Sequence, residues 1–382
     1  MELALVGVGE AGSRIVDRIL AVEAETERTF SHGNAVVCEI SQTIPDDLDM
    51  IPEAQQFLIG DTHHAVDEQG VDGDPDLAVE VTRNDLPEIR RAFDSLPIHE
   101  CDGILVVAGL GSGTGSGAGS VIIEDLQATY DEPVYALGVL PAEAEGGQPA
   151  VNAGRALRSI VPAADSMLTF DRETWQPRVD EDGHDEATHA LATRVVTLFA
   201  AGELDSSTVA ENAVDSSDII RTLAPGGLSS LGHAATELES EPSGVFARLL
   251  TWLGVRDEAE PQTTDAAKVK SLVRRAANSR LTVPCDIASA ERALVVLSGP
   301  PQELSRRGFE SARQWLEQET DTVEILAGDD PRNSSSTLEA VVLFSNVTDV
   351  PRIDALQQQA VDYQADAGGD RDEAAMSPEN QD

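Results

Sequence analysis

Glycine stands at every second position from Gly109 to Gly119, in a run reading Ala-Gly-Leu-Gly-Ser-Gly-Thr-Gly-Ser-Gly-Ala-Gly-Ser over residues 108–120. Backbone N–H groups unscreened by side chains can close on an anion, and Ser112, Thr114 and Ser116 place hydroxyls among them. That combination suits phosphate. A second turn, Gly7-Val8-Gly9-Glu10-Ala11-Gly12, has G-x-G-x-x-G spacing, and Glu39 ends the next strand pattern, where it could bind a ribose hydroxyl. Alone, this turn would fit a dinucleotide-dependent oxidoreductase. Two glycine cradles fit one nucleoside di- or triphosphate better. Further along, Asp215 and Asp218 frame Ser216-Ser217. Carboxylates three apart can share a helical turn and orient water or hold a cation, and the same residues can simply cap a helix in solvent. His63, His64 and His99 have no ligand-like spacing with cysteine, and none of the seven histidines is assigned to a metal.

The elements that must position these groups alternate. A strand pattern, Leu3–Gly7, leads through the first glycine turn into a helix beginning near Ser13, and a second strand runs Ala35–Glu39. After a polar, glycine-bearing stretch from Gly60 to Asp76, a helix is predicted over Leu86–Leu96. Strand Gly103–Val107 then delivers the long glycine run to an apolar helical pattern, Val121–Leu126, followed by strand Val134–Leu140 and helix Asn152–Ser159. This order predicts a parallel α/β sheet with ligands at the carboxyl ends of its strands. A long helix is predicted over Glu186–Ala201, and residues 237–264, rich in Glu, Pro, Ser and Thr, read as a loop or insertion. Within it, Val245–Leu253 is amphipathic and reads as a helix packed on its own domain, with a membrane or a second subunit as the alternative. A second α/β unit spans about 281–350, with strands at Leu294–Leu297, Thr322–Leu326 and Ala340–Phe344 and a helix at Phe309–Gln318. The acidic end of the chain has little to bury and is expected to be disordered.

The 382 residues suffice for one large domain or two sharing an interface, and 41% hydrophobic content supports a core. Net charge is −43, with lysine only at 268 and 270 and acids spread over the whole chain. Spread charge of this size fits a protein kept in solution in molar salt, where screening limits self-repulsion. It excludes the basic stripe that nucleic acid needs. Cys38, Cys101 and Cys285, odd in number and far apart, suggest a reducing cytoplasm. Neither a bilayer-spanning apolar stretch nor a secretory leader pattern is visible.

Together these features resemble the tubulin/FtsZ superfamily and, within it, the archaeal CetZ group, over about residues 1–355. The segment Gly111-Ser112-Gly113-Thr114-Gly115-Ser116-Gly117 looks like the superfamily's G-G-G-T-G-[ST]-G loop, and Gly9-Glu10-Ala11-Gly12-Ser13 like its first nucleotide loop. Leu281-Thr282-Val283-Pro284-Cys285, Ser298-Gly299-Pro300-Pro301 and Gly328-Asp329-Asp330-Pro331 resemble its C-terminal motifs. The resemblance implies a GTPase domain at 1–183, a central helix at 184–202, an acidic loop with helices and an insertion at 203–280, a smaller α/β activation domain at 281–355, and a tail at 356–382. It assigns the phosphates of GTP or GDP to residues 9–14, including Arg14, and to 111–117, with room for Mg²⁺. Gly73 falls in a loop that senses the γ-phosphate. Glu145 falls on the ribose, and the base falls to Arg172 and to Thr188, or to Asp185 if the register slips. Asp215 and Asp218 match the loop that completes the next subunit's active site in a head-to-tail filament. The implied protein is a cytoplasmic cytoskeletal GTPase serving cell shape or motility, with anchoring to a membrane or accessory protein left open. Four departures stand out. Glu10 replaces a usual Gln, Asp72 a usual Gly, and Arg172 and Thr188 stand where asparagines are usual, so a nucleotide-binding subunit without hydrolysis is the alternative.

Overall fold

The computed structural model describes residues 1–41, 47–67, 70–175, 181–201, 213–238, 261–320, 324–333 and 335–376. The insertion expected at 237–264 falls mostly outside these residues, as does all of Val245–Leu253.

The chain runs β1 (Leu3–Val8), α1 (Gly9–Thr26), β2 (Ala35–Glu39), β3 (Gln56–Leu58), α2 (Pro75–Phe93), β4 (Gly103–Gly109), α3 (Gly113–Thr129), β5 (Val134–Leu140), α4 (Gly147–Ala163) and β6 (Ser166–Asp171). It continues through α5 (Arg172–Trp175), α6 (Glu181–Phe199), α7 (Ser216–Leu223), β7 (Leu228–Glu237), α8 (Pro261–Ala277), β8 (Arg292–Gly299), α9 (Arg306–Glu319), β9 (Glu324–Pro331), β10 (Thr337–Val347) and α10 (Pro351–Met376). All ten strands join in one sheet of order β3-β2-β1-β4-β5-β6-β7-β10-β8-β9. The two expected α/β units are therefore continuous. Their junction is short, the parallel pairing of Met167 with Leu228 and of Leu168 with Ser229. Beyond it, β10 runs antiparallel to both β7 and β8.

Both faces of the sheet are covered, which is why its strands are apolar without a break. Ala4, Val6, Val106 and Ala108 face one core with Ala78 of α2, Ile122 of α3 and Ala153 of α4. Leu3, Leu5, Leu105 and Val107 face the other with Ile19 of α1 and Leu191 of α6. The C-terminal motifs meet in a buried polar cluster. Ser298 donates to Asp330 at 2.7 Å, and Arg28 from the end of α1 reaches Ser298 at 2.6 Å, Thr197 of α6 at 3.0 Å and Glu339 of β10 at 3.4 Å. Arg28 and Asp330 are 8% and 1% exposed, so this cluster ties the two halves together out of contact with bulk salt.

Two expectations are corrected, and one strand was not expected. The helix placed at Leu86–Leu96 begins at Pro75. Asp74 caps it, accepting from the backbone N–H groups of Asp76 at 2.9 Å and Leu77 at 3.2 Å, with proline in the first turn where no donor is lost. Asp74→Ala is expected to cost about 1 kcal/mol in chemical unfolding and Asp74→Asn only a few tenths; equal losses would refute the cap. β7 has no counterpart among the expected strands. The tail placed at 356–382 is helical up to Met376, because Leu356 is fully buried and Ile353 and Ala360 pack beside it, one helical face against the core. Among the described residues, no helix is long and apolar enough to cross a membrane.

Candidate functional site

Two helix starts converge at the carboxyl ends of β1 and β4. α1 follows Val8, which has no side-chain acceptor to cap the first N–H groups of that helix. Those donors, at the positive end of an 18-residue helix, are left for an anion. Opposite them lies the start of α3. A Cβ on Gly9, whose φ is +73°, would sit 3.4 Å from the Gly115 nitrogen and from Thr114, so a side chain there would close the gap between the loops. The Ser13 hydroxyl is buried with no hydrogen-bond partner.

Not every hydroxyl of the glycine run is free for a ligand. Ser112 caps α3, accepting from the Gly115 N–H at 3.0 Å and donating to the Gly109 carbonyl, and Ser116 donates to the Ser112 carbonyl at 2.5 Å. Helix capping competes with phosphate for those two groups. Thr114 lies beside Glu39. Arg14 is also committed, bridging Glu10 at 3.0 Å and Asp47 at 3.2 Å, so the carboxylate of Glu10 is paired on its own helix. From the sequence, Glu10 adds negative charge near the phosphates unless Mg²⁺ or another cation intervenes; here the cation is Arg14.

Gly73 comes to the same place. A Cβ on Gly113 would lie 2.7 Å from the Gly73 carbonyl carbon. Asn152 of α4, 1% exposed, fixes the contact by donating to the carbonyls of Gly73 at 2.9 Å and Gly111 at 3.1 Å. Sequence reasoning passed over this residue as an ordinary helix position. Asp72 has φ +46°, the left-handed conformation in which a glycine is unstrained and an aspartate is tolerated.

Beyond the cradle a cleft opens, lined by Ala11, Gly111 and Ser112 on the phosphate side and by Glu145, Arg172 and Thr188 at the far end. Ile15, Val139, Phe170 and Leu191 give it apolar walls. Glu145 and Arg172 pair at 3.2 Å, and Glu145 also accepts from the Ala142 N–H at 2.7 Å. Thr188 lines the cleft, whereas Asp185 is 78% exposed and faces Arg18 at 3.8 Å. Glu39 is buried at the foot of the cradle. Burial pushes its carboxyl up to about 7, and the neighbouring charge of Glu10 adds to the rise, while the Ile40 N–H and the Thr114 hydroxyl oppose it.

Asp215 and Asp218 lie elsewhere. They form a reciprocal cap on α7, the Asp215 carboxylate accepting from the Asp218 N–H at 3.1 Å and the Asp218 carboxylate from the Asp215 N–H at 3.3 Å. Asp215 is held below the usual carboxylate range, first by the Ser217 hydroxyl and in smaller part by the amino group of Met1. The Met1 nitrogen in turn donates to the Phe199 carbonyl at the end of α6, at 3.1 Å. These groups therefore gather where β1 begins, and the cradle opens where β1 ends, about 20 Å away over six residues. The acids cannot serve the cradle of their own chain. Among the described residues no group of three or more metal-ligating side chains occurs, and Cys38, Cys101 and Cys285 are unpaired.

Comparison with known proteins bears on the family and the fold. A family model described as the Tubulin/FtsZ family GTPase domain matches residues 2–179, and one described as the tubulin-like CetZ C-terminal domain matches residues 179–362. Tubulin-like protein CetZ3 of Haloferax volcanii is 44% identical over 380 residues, 99% of this chain and 96% of that one. The GDP-bound CetZ1 monomer of the same organism superposes with TM-score 0.81 at 37% identity, covering 95% of this chain and 100% of the other. A GTPγS-bound protofilament of its CetZ2 does so with TM-score 0.80 at 32% identity, covering 96% and 100%.

Proposed function

The chain belongs to the tubulin/FtsZ family, in its tubulin-like CetZ branch, and from that premise we propose that it is a cytoskeletal GTPase that assembles head to tail and hydrolyses GTP between subunits. The observation that carries this reading is the separation of the cradle from the exposed acids at opposite ends of β1. A cradle without the Asp215–Asp218 pair at one pole and that pair without a cradle at the other make a complete site only when two copies stack. The GDP-bound monomer and GTPγS-bound protofilament of relatives support the nucleotide and the stacking.

In this reading the free N–H groups of α1 and α3 hold the phosphates, with room for Mg²⁺ beside them, and Glu145 meets the ribose. Arg172 and Thr188 face the base. Asp215 and Asp218 of the neighbouring copy position the attacking water in line with the γ-phosphate. The service rendered is control of cell shape or motility in the cytoplasm. One observation favours a second reading, a subunit that binds nucleotide and stacks without turnover. Asp72 brings a carboxylate to the γ-phosphate loop at a position of left-handed backbone.

The test is sedimentation and GTP turnover in molar salt as protein concentration is raised. The first reading expects polymer with GTPγS and a specific activity that climbs with concentration. Polymer with no turnover selects the second reading. Turnover independent of concentration refutes a site shared between copies.

A further inference from the structure

The helix α10 leaves the last strand and packs on α4, beside the segments that bear Glu145 and Arg172. Four of its residues, Arg352, Leu356, Gln359 and Tyr363, follow spacings of four, three and four, which set them on one helical face. Leu356 is buried in the core, and the other three reach the rim of the cleft. Arg352 donates through Nε to Asp171 at 2.8 Å and through Nη2 to the Pro141 carbonyl at 2.6 Å, with the Arg352 and Asp171 side chains 9% and 0% exposed. Asp171 in turn accepts from the Thr174 hydroxyl at 2.6 Å and the Thr174 N–H at 3.1 Å, which fixes the turn that begins with Arg172. Gln359 donates to the carbonyls of Glu143 at 3.0 Å and Gly146 at 3.2 Å, on either side of Glu145. Tyr363 covers Gly147, where an added Cβ would lie 2.3 Å from the tyrosine side chain. The two rim segments are also joined to each other, the Glu143 N–H donating to Glu173 at 2.8 Å.

These contacts share a direction. They go to residues 141, 143, 146, 147 and 171, around Glu145 and Arg172, at the end of the cleft away from the cradle. The cradle has a different clamp, Asn152 bridging Gly73 and Gly111. We propose that α10 is a strap holding the sugar- and base-facing rim, with Arg352 and Gln359 as positioning residues that govern affinity for the nucleoside but not for the phosphates. The proposal rests on the cleft taking a nucleotide, and it deepens that reading by linking the C-terminal helix to its selectivity. Because Gln359 holds the carbonyls of Glu143 and Gly146, on either side of Glu145, its loss frees that loop. Because Arg352 neutralises Asp171, its loss leaves a buried carboxylate without its counter-ion and unsettles Arg172.

The experiment is a titration of the full chain in molar salt with GTP, ATP and inorganic tripolyphosphate, alongside thermal unfolding. Gln359→Ala is expected to weaken GTP binding about three- to tenfold, to narrow the preference for GTP over ATP, and to leave tripolyphosphate binding unchanged. Arg352→Ala is expected to do the same more strongly, with Arg352→Lys recovering part of the loss. If Arg352→Ala fails to fold, Gln359→Ala, which removes no charge, decides the matter. Equal weakening of GTP and tripolyphosphate overturns the strap, as does GTP affinity unchanged in Gln359→Ala. If the unsubstituted protein binds tripolyphosphate but discriminates neither GTP nor ATP from it, the nucleotide reading of the cleft falls, and the strap with it.

Discussion

Replacing Asp215 and Asp218 together by asparagine is expected to lower GTP turnover by about a hundredfold or more, while nucleotide binding and thermal stability stay close to those of the parent. Asparagine is the informative choice. Both residues cap α7 reciprocally, and an alanine pair would lose that cap at a cost of about 1 kcal/mol, mixing a folding defect with a chemical one. The amide keeps an acceptor for each N–H and removes only the charge and the basicity. A mixing experiment adds the geometry. Ser112→Asp retains a good helix cap but sets a carboxylate at the mouth of the phosphate cradle, so it is expected to abolish binding by that copy. Neither variant alone should turn over GTP. Mixed in equal amounts, they are expected to regain up to about a quarter of the parental rate, because some contacts then join an intact cradle to intact acids. An asparagine pair that hydrolyses GTP like the parent would remove these residues from the chemistry.

The second large effect concerns Glu39. Its carboxyl titrates near 7 in the folded protein, against about 4.5 for an exposed glutamate, because burial disfavours the charge and Glu10 stands nearby. The folded state therefore holds a proton that the unfolded state has released at any pH between those values. Stability from this group is complete below about 4.5, drains away as pH rises, and is gone above about 7. The gap corresponds to about 3 kcal/mol. Glu39→Gln mimics the protonated form at every pH. In chemical unfolding at constant salt the two proteins should match near pH 4, and the variant should be more stable by up to about 3 kcal/mol at pH 8. Parallel stability curves would show that Glu39 ionises as an exposed glutamate does. The sequence suggested a ribose ligand at this position; the fold instead buries the carboxyl against Thr114 under the cradle.

What could be read in advance was whatever depends on neighbours in the chain. The glycine run at 109–119, the strands around it and the Asp215–Asp218 pair are local patterns, and local patterns survive folding. The pair also shows that alternatives need not compete, since these residues are a helix cap by geometry while their exposure leaves them open to a second copy. Features set by distant partners escaped notice. β7, with the sequence Leu-Ser-Ser-Leu-Gly-His-Ala-Ala-Thr-Glu, has little of the β-branched and aromatic content that marks a strand, and its place is dictated by β10 alongside. Pro87 lies in the interior of α2, and proline there imitates a helix start, so the true start at the Asp74-Pro75 cap was overlooked. Asn152 and Arg352 matter through carbonyls and carboxylates far away in sequence, which no periodicity reveals.

α6 passes the cleft at Thr188 and ends at Phe199, against Met1 and near Asp215. In a row of stacked copies every such helix points the same way, so the two tips of the row are chemically unlike. On the proposed reading, one tip presents a nucleotide that no Asp215–Asp218 pair reaches, and the other presents that pair with nothing to act on. On that reading the last nucleotide at the first tip is spared until another copy arrives. Growth and loss at the two tips would then be set by different chemistry, and the polarity of a single helix would write a direction into the polymer.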